Sequence, residues 1–218
     1  MKKIFKISGI VVPIALFILL IFFIQTNKLY KFENWIYYES TENMTDIKTI
    51  IIKSITHTGD AISVIIICLI LFAFSKTRYK IALPLSIAVI TSAIFNIILK
   101  NIFTRERPNI LKLVSETSYS FPSGHAMINI TLYTMLILLI WKYIKGKKTK
   151  YIMTSACLIL TALIGYSRIY LGVHYVTDII GGWLAGFAVA LITYILWFRI
   201  IEDKNTSIKF DKAIDKLN

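Results

Sequence analysis

Cysteine, acidic residues and internal repetition are all scarce in this chain of 218 residues. It has two cysteines and 12 acidic residues, against 25 lysines and arginines. Cys68 and Cys157 lie within apolar stretches, where a thiol behaves as a small apolar side chain, so neither a disulfide framework nor a thiolate metal cluster is indicated. Because no repeat period, low-complexity stretch or long linker is present, the sequence predicts a single domain.

Apolar residues are abundant instead. They make up 56% of the chain, whose mean hydropathy is +0.68, whereas a soluble globular domain has roughly 45–50%. A spanning helix needs about 20 apolar residues. The pattern therefore predicts an all-α fold, an integral membrane bundle of six transmembrane helices with the second the shortest, over residues 4–26, 60–75, 81–103, 126–144, 151–170 and 178–201.

The N-terminal end of the chain is expected to be an apolar membrane helix and the C-terminal end a polar tail. Lys2, Lys3 and Lys6 precede the first apolar run as in a signal peptide, but the run is longer than a typical signal core and no small-residue cleavage site is evident, so we expect a retained helix. Residues 1–201 then form the membrane domain, and 202–218 a polar cytoplasmic tail. Aromatic and acidic residues between 27 and 59 predict a helix lying at the membrane interface.

The charge distribution predicts the orientation. If successive loops alternate sides, the side holding both termini contains 16 of the 25 cations and four of the 12 acids, and the opposite side has nine and eight. The positive-inside rule then places both termini in the cytoplasm, as in a bacterial-type cytoplasmic membrane. Since topology accounts for the excess positive charge, we expect the lipid bilayer as a partner and no nucleic acid.

A first polar segment follows the third apolar run. Lys100 precedes Arg107 by seven residues, about two helical turns, and Pro108 comes next. The point charge of a lysine and the fixed fork of an arginine together neutralise and orient phosphoryl oxygens. The alternative is that these cations only extend from a helix end toward water.

A second segment, Pro122 to His125, directly precedes the fourth apolar run. Free backbone amides at a helix start form an anion site, to which Gly124 gives close approach and Ser123 adds a hydroxyl donor. His125 then stands beside the bound anion. The alternative is a histidine that caps the helix or packs at the interface.

A third segment joins the last two runs. Arg168 ends one span, and His174 precedes Asp178 by four residues, which places both on one face if the intervening turn is helical. Asp178 can accept a hydrogen bond from one ring nitrogen of His174 and leave the other free as a nucleophile. Alternatively, Asp178 is a helix N-terminal residue favoured by the dipole and His174 a loop residue.

Together these segments resemble the three-part signature of the type 2 phosphatidic acid phosphatase superfamily. Every position is matched, by Lys100, Arg107 and Pro108, by Pro122, Ser123, Gly124 and His125, and by Ser167, Arg168, His174 and Asp178. The resemblance covers the third to sixth helices. It implies a membrane lipid phosphatase similar to bacterial phosphatidylglycerophosphatases and undecaprenyl diphosphate phosphatases, with its catalytic site at the outer ends of those helices.

The same resemblance implies a role for each residue. His174 is the nucleophile that forms a phosphohistidine, Asp178 orients it, and His125 is the general acid. The phosphoryl oxygens are bound by Lys100, Arg107 and Arg168, with Ser123, Ser167 and the amide of Gly124. The scheme needs no metal and no cofactor, and Asp178 is the only carboxylate within the second and third motifs.

Other polar residues near the motifs are left out of the catalytic set. His57 and Asp60 are expected to have a loop or capping role, and Asn96 to bond Lys100 or a neighbouring helix. Arg105 is expected to attract anionic head groups, and Glu106 to restrain its neighbours.

An extracytoplasmic site at headgroup depth suits a lipid phosphate or diphosphate. Undecaprenyl diphosphate, phosphatidylglycerol phosphate and phosphatidic acid are all admissible substrates. The alternatives are a lipid phosphotransferase and a non-catalytic lipid-binding membrane protein. Soluble vanadate-dependent haloperoxidases share the signature, but six apolar spans argue against that class.

Overall fold

The computed structural model describes residues 3–109, 111 and 113–201, and those residues contain helices and no strand. The predicted polar tail, 202–218, lies outside the described residues. In chain order the helices are α1 Lys3–Gln25, α2 Tyr30–Thr41, α3 Asp46–Thr58, α4 Ala61–Ala73, the single turn α5 Ser75–Thr77, a π-helical turn Arg78–Ala82, α6 Leu83–Phe103, α7 Gly124–Tyr143, α8 Lys147–Tyr170 and α9 Val176–Ile201.

The predicted six-span, all-helical fold is confirmed, with one difference in its second span. Five helical stretches in the described residues, among them the continuous Ser75–Phe103, are long and apolar enough to cross a membrane. The 13 residues of α4 cover only about 20 Å of the roughly 30 Å hydrocarbon core. A sixth span is present only if α3 and α4, which meet at a bend of 47°, are counted together.

The segment between residues 27 and 59, which was expected to carry a helix at the membrane interface, is helical, and its position at the interface stays a prediction. It forms two helices, α2 and α3. The side chain of Thr45 accepts a hydrogen bond from the Lys48 amide and starts α3, as N-cap threonines commonly do. This extra helix start turns the chain back toward the bundle, so that α3 packs against α8.

Helix α7 is the centre of the bundle and packs against α6, α8 and α9. Its inner side chains, including Leu132, Met135 and Leu139, are fully buried with Leu85 of α6 and Ile164 of α8. The outer faces of the other spans carry exposed isoleucines and leucines, as helices surrounded by hydrocarbon do.

The chain direction brings the three polar segments to one end of this bundle. Helix α6 ends where the connection 104–123 begins, and α8 ends where the short connection 171–175 leads into α9. The corner between α3 and α4 lies at the same end, because the Gly59 carbonyl accepts a hydrogen bond from Asn129 in the second turn of α7. The predicted third to sixth spans correspond to α6, α7, α8 and α9, and the ends that carry the motifs meet as predicted.

Close packing between α7 and α9 predicts a large effect of a single methyl group. A Cβ atom on Gly186 would lie 2.3 Å from the Met127 carbonyl oxygen and 2.5 Å from Ile130 Cγ2. We expect Gly186→Ala to lower the free energy of unfolding by about 1–3 kcal/mol, despite the roughly 1 kcal/mol that alanine gains over glycine in a helix.

Thermal unfolding in detergent micelles measures this effect. Gly9→Ala in α1 is the matched control, because its Cβ would meet only the movable Leu191 Cδ1, at 3.3 Å. An unfolding temperature for Gly186→Ala equal to that of Gly9→Ala would contradict the packing described for α7 and α9.

Candidate active site

His174 and Asp178 form a buried imidazole–carboxylate pair at the start of α9. The exposed fraction is 2% for His174 and 0% for Asp178. His174 Nδ1 lies 3.4 Å from Asp178 Oδ2 and 3.3 Å from Ser120 Oγ, and the Ser120 hydroxyl donates to the same carboxylate oxygen at 2.5 Å. Because a carboxylate only accepts hydrogen bonds, these contacts favour the proton on Nδ1 and leave Nε2 unprotonated.

Arg105 holds the other side of the Asp178 carboxylate. Its Nη1 lies 2.6 Å from Asp178 Oδ1, and its Nη2 lies 2.7 and 2.8 Å from the two oxygens of Glu33 on α2. Both carboxylates raise the pKa of Arg105, more than offsetting the burial that lowers it. Two buried carboxylates thus hold the guanidinium, and the expectation that Arg105 attracts lipid head groups stays a prediction.

The second ring nitrogen of His174 faces Arg107. Arg107 Nη1 lies 3.2 Å from His174 Nε2 and 2.9 Å from the Val173 carbonyl oxygen. Burial lowers the pKa of His174 to about 3, although Asp178 opposes that shift, so the imidazole is neutral near pH 7. An unprotonated nitrogen therefore points at the guanidinium that the sequence assigns to phosphate binding.

Arg107 itself is held by the backbone of the connection 104–123. Its Nε donates to the Ser118 carbonyl oxygen at 2.7 Å, and its Nη2 lies 3.4 Å from the Tyr119 carbonyl oxygen. These bonds fix the plane of the guanidinium before any ligand arrives, which is what precise orientation of an oxyanion requires.

Arg168 is buried beside Arg107 and pairs with Glu116. One guanidinium nitrogen donates to Thr56 of α3 at 3.1 Å and the other forms a short ion pair with Glu116. Arg107 Nη2 lies 3.6 Å from the second oxygen of Glu116. Arg168 Nε is buried without a hydrogen-bond partner, so the guanidinium keeps an unused donor.

Glu116 thus lies among the groups that the sequence assigns to phosphate binding and catalysis. Burial raises the pKa of its carboxyl, but the positive charges of Arg168 and Arg107 lower it by more, and the net shift is downward. Its carboxylate occupies the space between two guanidinium groups, where phosphoryl oxygens would be expected. Glu116 was missed by the motif analysis because it lies between the first and second motifs.

Lys100 lines a cavity on the surface of this cluster. Its ammonium group donates to the Tyr119 carbonyl oxygen. The cavity has a volume of about 660 Å³, and Arg105, Arg107 and Ser118 also line it. Lys100 and Arg107 therefore reach the same space, although α6 ends at Phe103 and Arg107 lies in the connection 104–123 rather than two turns further along a helix.

The N-terminus of α7 is built as expected, although its polar groups are partly used. Ser123 is the N-cap and accepts from the Ala126 amide at 3.4 Å, and its own amide donates to the Asp178 carbonyl oxygen at 3.1 Å. Of the two alternatives for Asn96, the contact with a neighbouring element is present, because Asn96 donates to the Pro122 carbonyl oxygen at 3.1 Å. A Cβ on Gly124 would lie 3.1 Å from Asn96 Oδ1.

Ser167 is the motif residue least engaged with the cluster. Its hydroxyl is fully buried and donates to the Ile164 carbonyl oxygen of its own helix at 2.7 Å. That bond occupies the hydroxyl proton in this state, so the expected role of Ser167 in phosphate binding stays a prediction.

His125 pairs with the carboxylate of Asp60, which belongs to none of the three motifs. Its Nε2 lies 2.7 Å from Asp60 Oδ1, and His57 Nδ1 lies 2.8 Å from the other oxygen of Asp60. Asp60 stands at the N-cap of α4, yet its side chain makes no capping bond. The expected capping role was therefore wrong for the Asp60 carboxylate.

The expectation that no metal is needed stays a prediction. Among the described residues, no group of three or more histidine, cysteine or acidic side chains is arranged to hold a metal ion. The carboxylates of the site instead face arginines and imidazoles, which are the partners of a site for an anion.

Family comparison identifies the chain through the region that contains all three motifs. The profile of the PAP2 superfamily matches residues 81–202, more than half of the sequence. This chain belongs to the PAP2 superfamily. The match begins just before α6 and includes every motif residue, so the three-part resemblance is confirmed at the level of the family.

Individual PAP2 proteins resemble the chain over part of its length. Phosphatidylglycerophosphatase B of Bacillus subtilis is 40% identical over 100 residues, covering 44% of this chain and 48% of that protein. Undecaprenyl-diphosphatase of Sulfolobus acidocaldarius is 32% identical over 132 residues, covering 57% and 58%. These alignments span about half of each relative.

Solved PAP2 structures extend the likeness to the fold. The crystal structure of the transmembrane PAP2-type phosphatidylglycerolphosphate phosphatase from Bacillus subtilis superposes with a TM-score of 0.81 at 27% identity, covering 88% of this chain and 98% of that one. Aquifex aeolicus LpxE shares the fold with a TM-score of 0.60 at 24% identity, covering 73% and 92%.

The position of Glu116 predicts how the empty site responds to phosphate. In Glu116→Gln the two guanidinium groups lose their shared carboxylate, so an incoming anion no longer has to displace it. We expect inorganic phosphate to bind several-fold more tightly and to raise the unfolding temperature of the variant more than that of the parent protein.

Thermal unfolding across a phosphate titration checks this, with sulfate at matched ionic strength as the second anion. Glu42→Gln, an exposed acid at the end of α2, is the control and should respond as the parent does. Weaker phosphate binding by Glu116→Gln would show that Glu116 supports the anion site rather than competing for it.

Proposed function

We propose that this protein is a membrane lipid phosphatase that hydrolyses a phosphate or diphosphate monoester of a lipid through a phosphohistidine intermediate. The observation that carries the proposal is the position of His174 Nε2, which lies 3.2 Å from Arg107 Nη1 while Asp178 lies behind Nδ1. A neutral imidazole aimed into a group of guanidinium ions suits attack on a bound phosphoryl group.

The first chemical step transfers the phosphoryl group to the enzyme. His174 Nε2 attacks phosphorus, a P–N bond forms, and the P–O bond to the lipid breaks. His125 donates a proton to the leaving lipid oxygen. Asp178 accepts the Nδ1–H hydrogen bond and stabilises the positive charge that develops on the imidazole.

The second step returns the enzyme to its starting state. Water attacks the phosphorus atom, the P–N bond breaks, and the proton of the water moves to His125 as inorganic phosphate leaves. Arg107, Arg168 and Lys100, with the first amides of α7, hold the equatorial oxygens in both steps, where positioning and charge supply most of the acceleration.

A lipid substrate is supported by an apolar cavity beside the site. It has a volume of about 260 Å³ and is lined by side chains of α1, α6, α7 and α9, including Phe17, Leu99 and Met127. Leu99 directly precedes Lys100, so a hydrocarbon chain in this cavity would continue toward the cationic end of the bundle. The names of the relatives, a phosphatidylglycerophosphatase and an undecaprenyl-diphosphatase, support the same class of substrate.

We further propose that the active site faces the outside of a cytoplasmic membrane, with both termini in the cytoplasm. The support comes from charge, because most of the lysines and arginines fall on the side of the bundle opposite the motifs. A site in the outer leaflet would meet polyprenyl and acyl lipid phosphates alike.

The proposal predicts that turnover depends on His174. Purified protein is assayed for phosphate release from undecaprenyl diphosphate, phosphatidylglycerol phosphate and phosphatidic acid in matched micelles, with an acceptor lipid added in a parallel series. We expect hydrolysis of at least one lipid and a loss of at least about 10³-fold in His174→Ala, because no other group replaces the nucleophile.

The phosphohistidine is detected with a substrate whose phosphate is radiolabelled. After a denaturing quench, the protein should carry a label that is lost in acid and kept in base, and His174→Ala should lack it. An unchanged unfolding temperature shows that the variant is folded. Transfer to the acceptor lipid without release of phosphate would favour a phosphotransferase, and turnover of His174→Ala at the parental rate would contradict the covalent scheme.

Metal independence is a separate prediction. Because cations of the chain itself surround the phosphoryl site, we expect full hydrolytic activity after dialysis against a chelator. Activity is measured with and without added magnesium after that treatment. Loss of activity that magnesium restores would contradict the scheme.

A further inference from the structure

We propose, on the basis of the proposed function, that Asp60 is a positioning residue for His125 and supports its charged, proton-donating form against the burial of the ring. The contact that carries this proposal is the 2.7 Å hydrogen bond between His125 Nε2 and Asp60 Oδ1. Asp60 lies 40 residues before the first motif residue in the sequence and outside the region that the family profile matches.

The carboxylate of Asp60 does not make the hydrogen bond that an N-cap aspartate usually makes. An aspartate at an N-cap usually accepts a hydrogen bond from a first-turn amide, which stabilises the helix by about 1 kcal/mol. Asp60 has the extended N-cap conformation, with φ −67° and ψ 156°, yet makes no such bond. Both oxygens accept from imidazoles instead, one from His125 and one from His57.

The corner that carries Asp60 is packed closely against the catalytic helices. Asn129 of α7 donates to the Gly59 carbonyl oxygen at 2.8 Å, and its side-chain nitrogen also lies 2.9 Å from the His125 carbonyl oxygen. A Cβ on Gly59 would lie 2.7 Å from Ile164 Cγ2 of α8. Glycine allows this approach, and the approach fixes the Asp60 carboxylate relative to His125.

The charges around His125 explain what the carboxylate does. Burial of the ring and the charge of Arg168 of α8 disfavour a second proton, whereas Asp60 from the corner and Glu116 from the connection 104–123 favour it. Asp60 accepts the Nε2–H bond, so Nδ1 is the nitrogen left for the leaving lipid oxygen. When a phosphate displaces Glu116, Asp60 is the carboxylate that stays beside the ring.

The two imidazole–carboxylate pairs of the site differ in one respect that matches two roles. The charge of Asp178 is balanced by Arg105 at 2.6 Å, so Asp178 orients a neutral nucleophile. Asp60 contacts two imidazoles, so its charge remains available to an imidazolium. When two similar titratable groups have different surroundings, one commonly acts as the acid and the other as a base or nucleophile.

The test uses the purified full chain and two substrates that differ in leaving group. A lipid phosphate leaves as a poor alkoxide that needs a proton, whereas p-nitrophenyl phosphate leaves without one. Asp60→Asn keeps the shape and an acceptor oxygen but removes the charge. We expect kcat/KM for the lipid to fall about 10–100-fold, with at most about a threefold loss for p-nitrophenyl phosphate and with the basic limb of the pH profile moved to lower pH.

His57→Gln is the matched variant, because it changes the other partner of the same carboxylate and keeps a hydrogen-bond donor. The His57 side chain is 71% exposed, and we expect the variant to retain activity within about twofold on both substrates. Equal losses of Asp60→Asn on the two substrates, or no loss at all, would overturn the inference.

A double-mutant cycle isolates the path of the effect. If Asp60 acts through His125, adding Asp60→Asn to His125→Ala causes no further loss. A further loss as large as in the parent protein would overturn the inference, whether or not the variants are less stable. Failure of the parent protein to release phosphate from any lipid would instead contradict the proposed function, so the two failures are distinguishable.

Discussion

An ionised carboxylate buried at the end of a helix bundle needs a buried cation beside it, and the pairing of Asp178 with Arg105 meets that need at 2.6 Å. Removing either partner would leave an uncompensated charge, which costs several kcal/mol. Because Arg105 also binds Glu33 on α2, one guanidinium connects α2, the connection 104–123 and α9. The orientation of His174 therefore depends on three parts of the chain that lie far apart in sequence.

The helices before the first motif are thus part of the site. Glu33 of α2 binds Arg105, Thr56 of α3 accepts from Arg168, and Asp60 at the α3–α4 corner binds His125. Each contact supplies a hydrogen-bond partner to a buried polar group that would otherwise be costly to desolvate. The corner between α3 and α4 therefore contacts two motif residues, because Thr56 lies beside Arg168 and Asp60 beside His125.

The sequence predicted well those features that depend on the length of an apolar run. The lengths of the spans are of this kind. The His174–Asp178 pair and the cavity shared by Lys100 and Arg107 are also present, but His174 precedes α9 and Arg107 follows α6, so neither pair lies on the single helix that its spacing assumed. It predicted poorly the partners that come from distant segments. Arg105 lies two residues before Arg107 and carries the same charge, yet only the fold shows that it binds Asp178. Glu116 and Asp60 belong to no motif, and a single acid in a loop gives no spacing signal.

The balance of charges around Glu116 bears on which phosphates the site selects under the proposed function. Lys100, Arg107 and Arg168 supply the positive charge of the site, and Glu116 offsets part of it until a phosphate takes its place. A phosphate monoester dianion then brings two negative charges to these cations near neutral pH. A phosphodiester head group, which is the common form in a bilayer, carries one charge and has a second substituent on phosphorus, so it would leave part of this cationic field unbalanced. In a low-dielectric site an unbalanced charge raises the free energy of the complex. Under the proposed function, the arginines that hold the phosphoryl group during transfer therefore also discriminate a monoester from a diester.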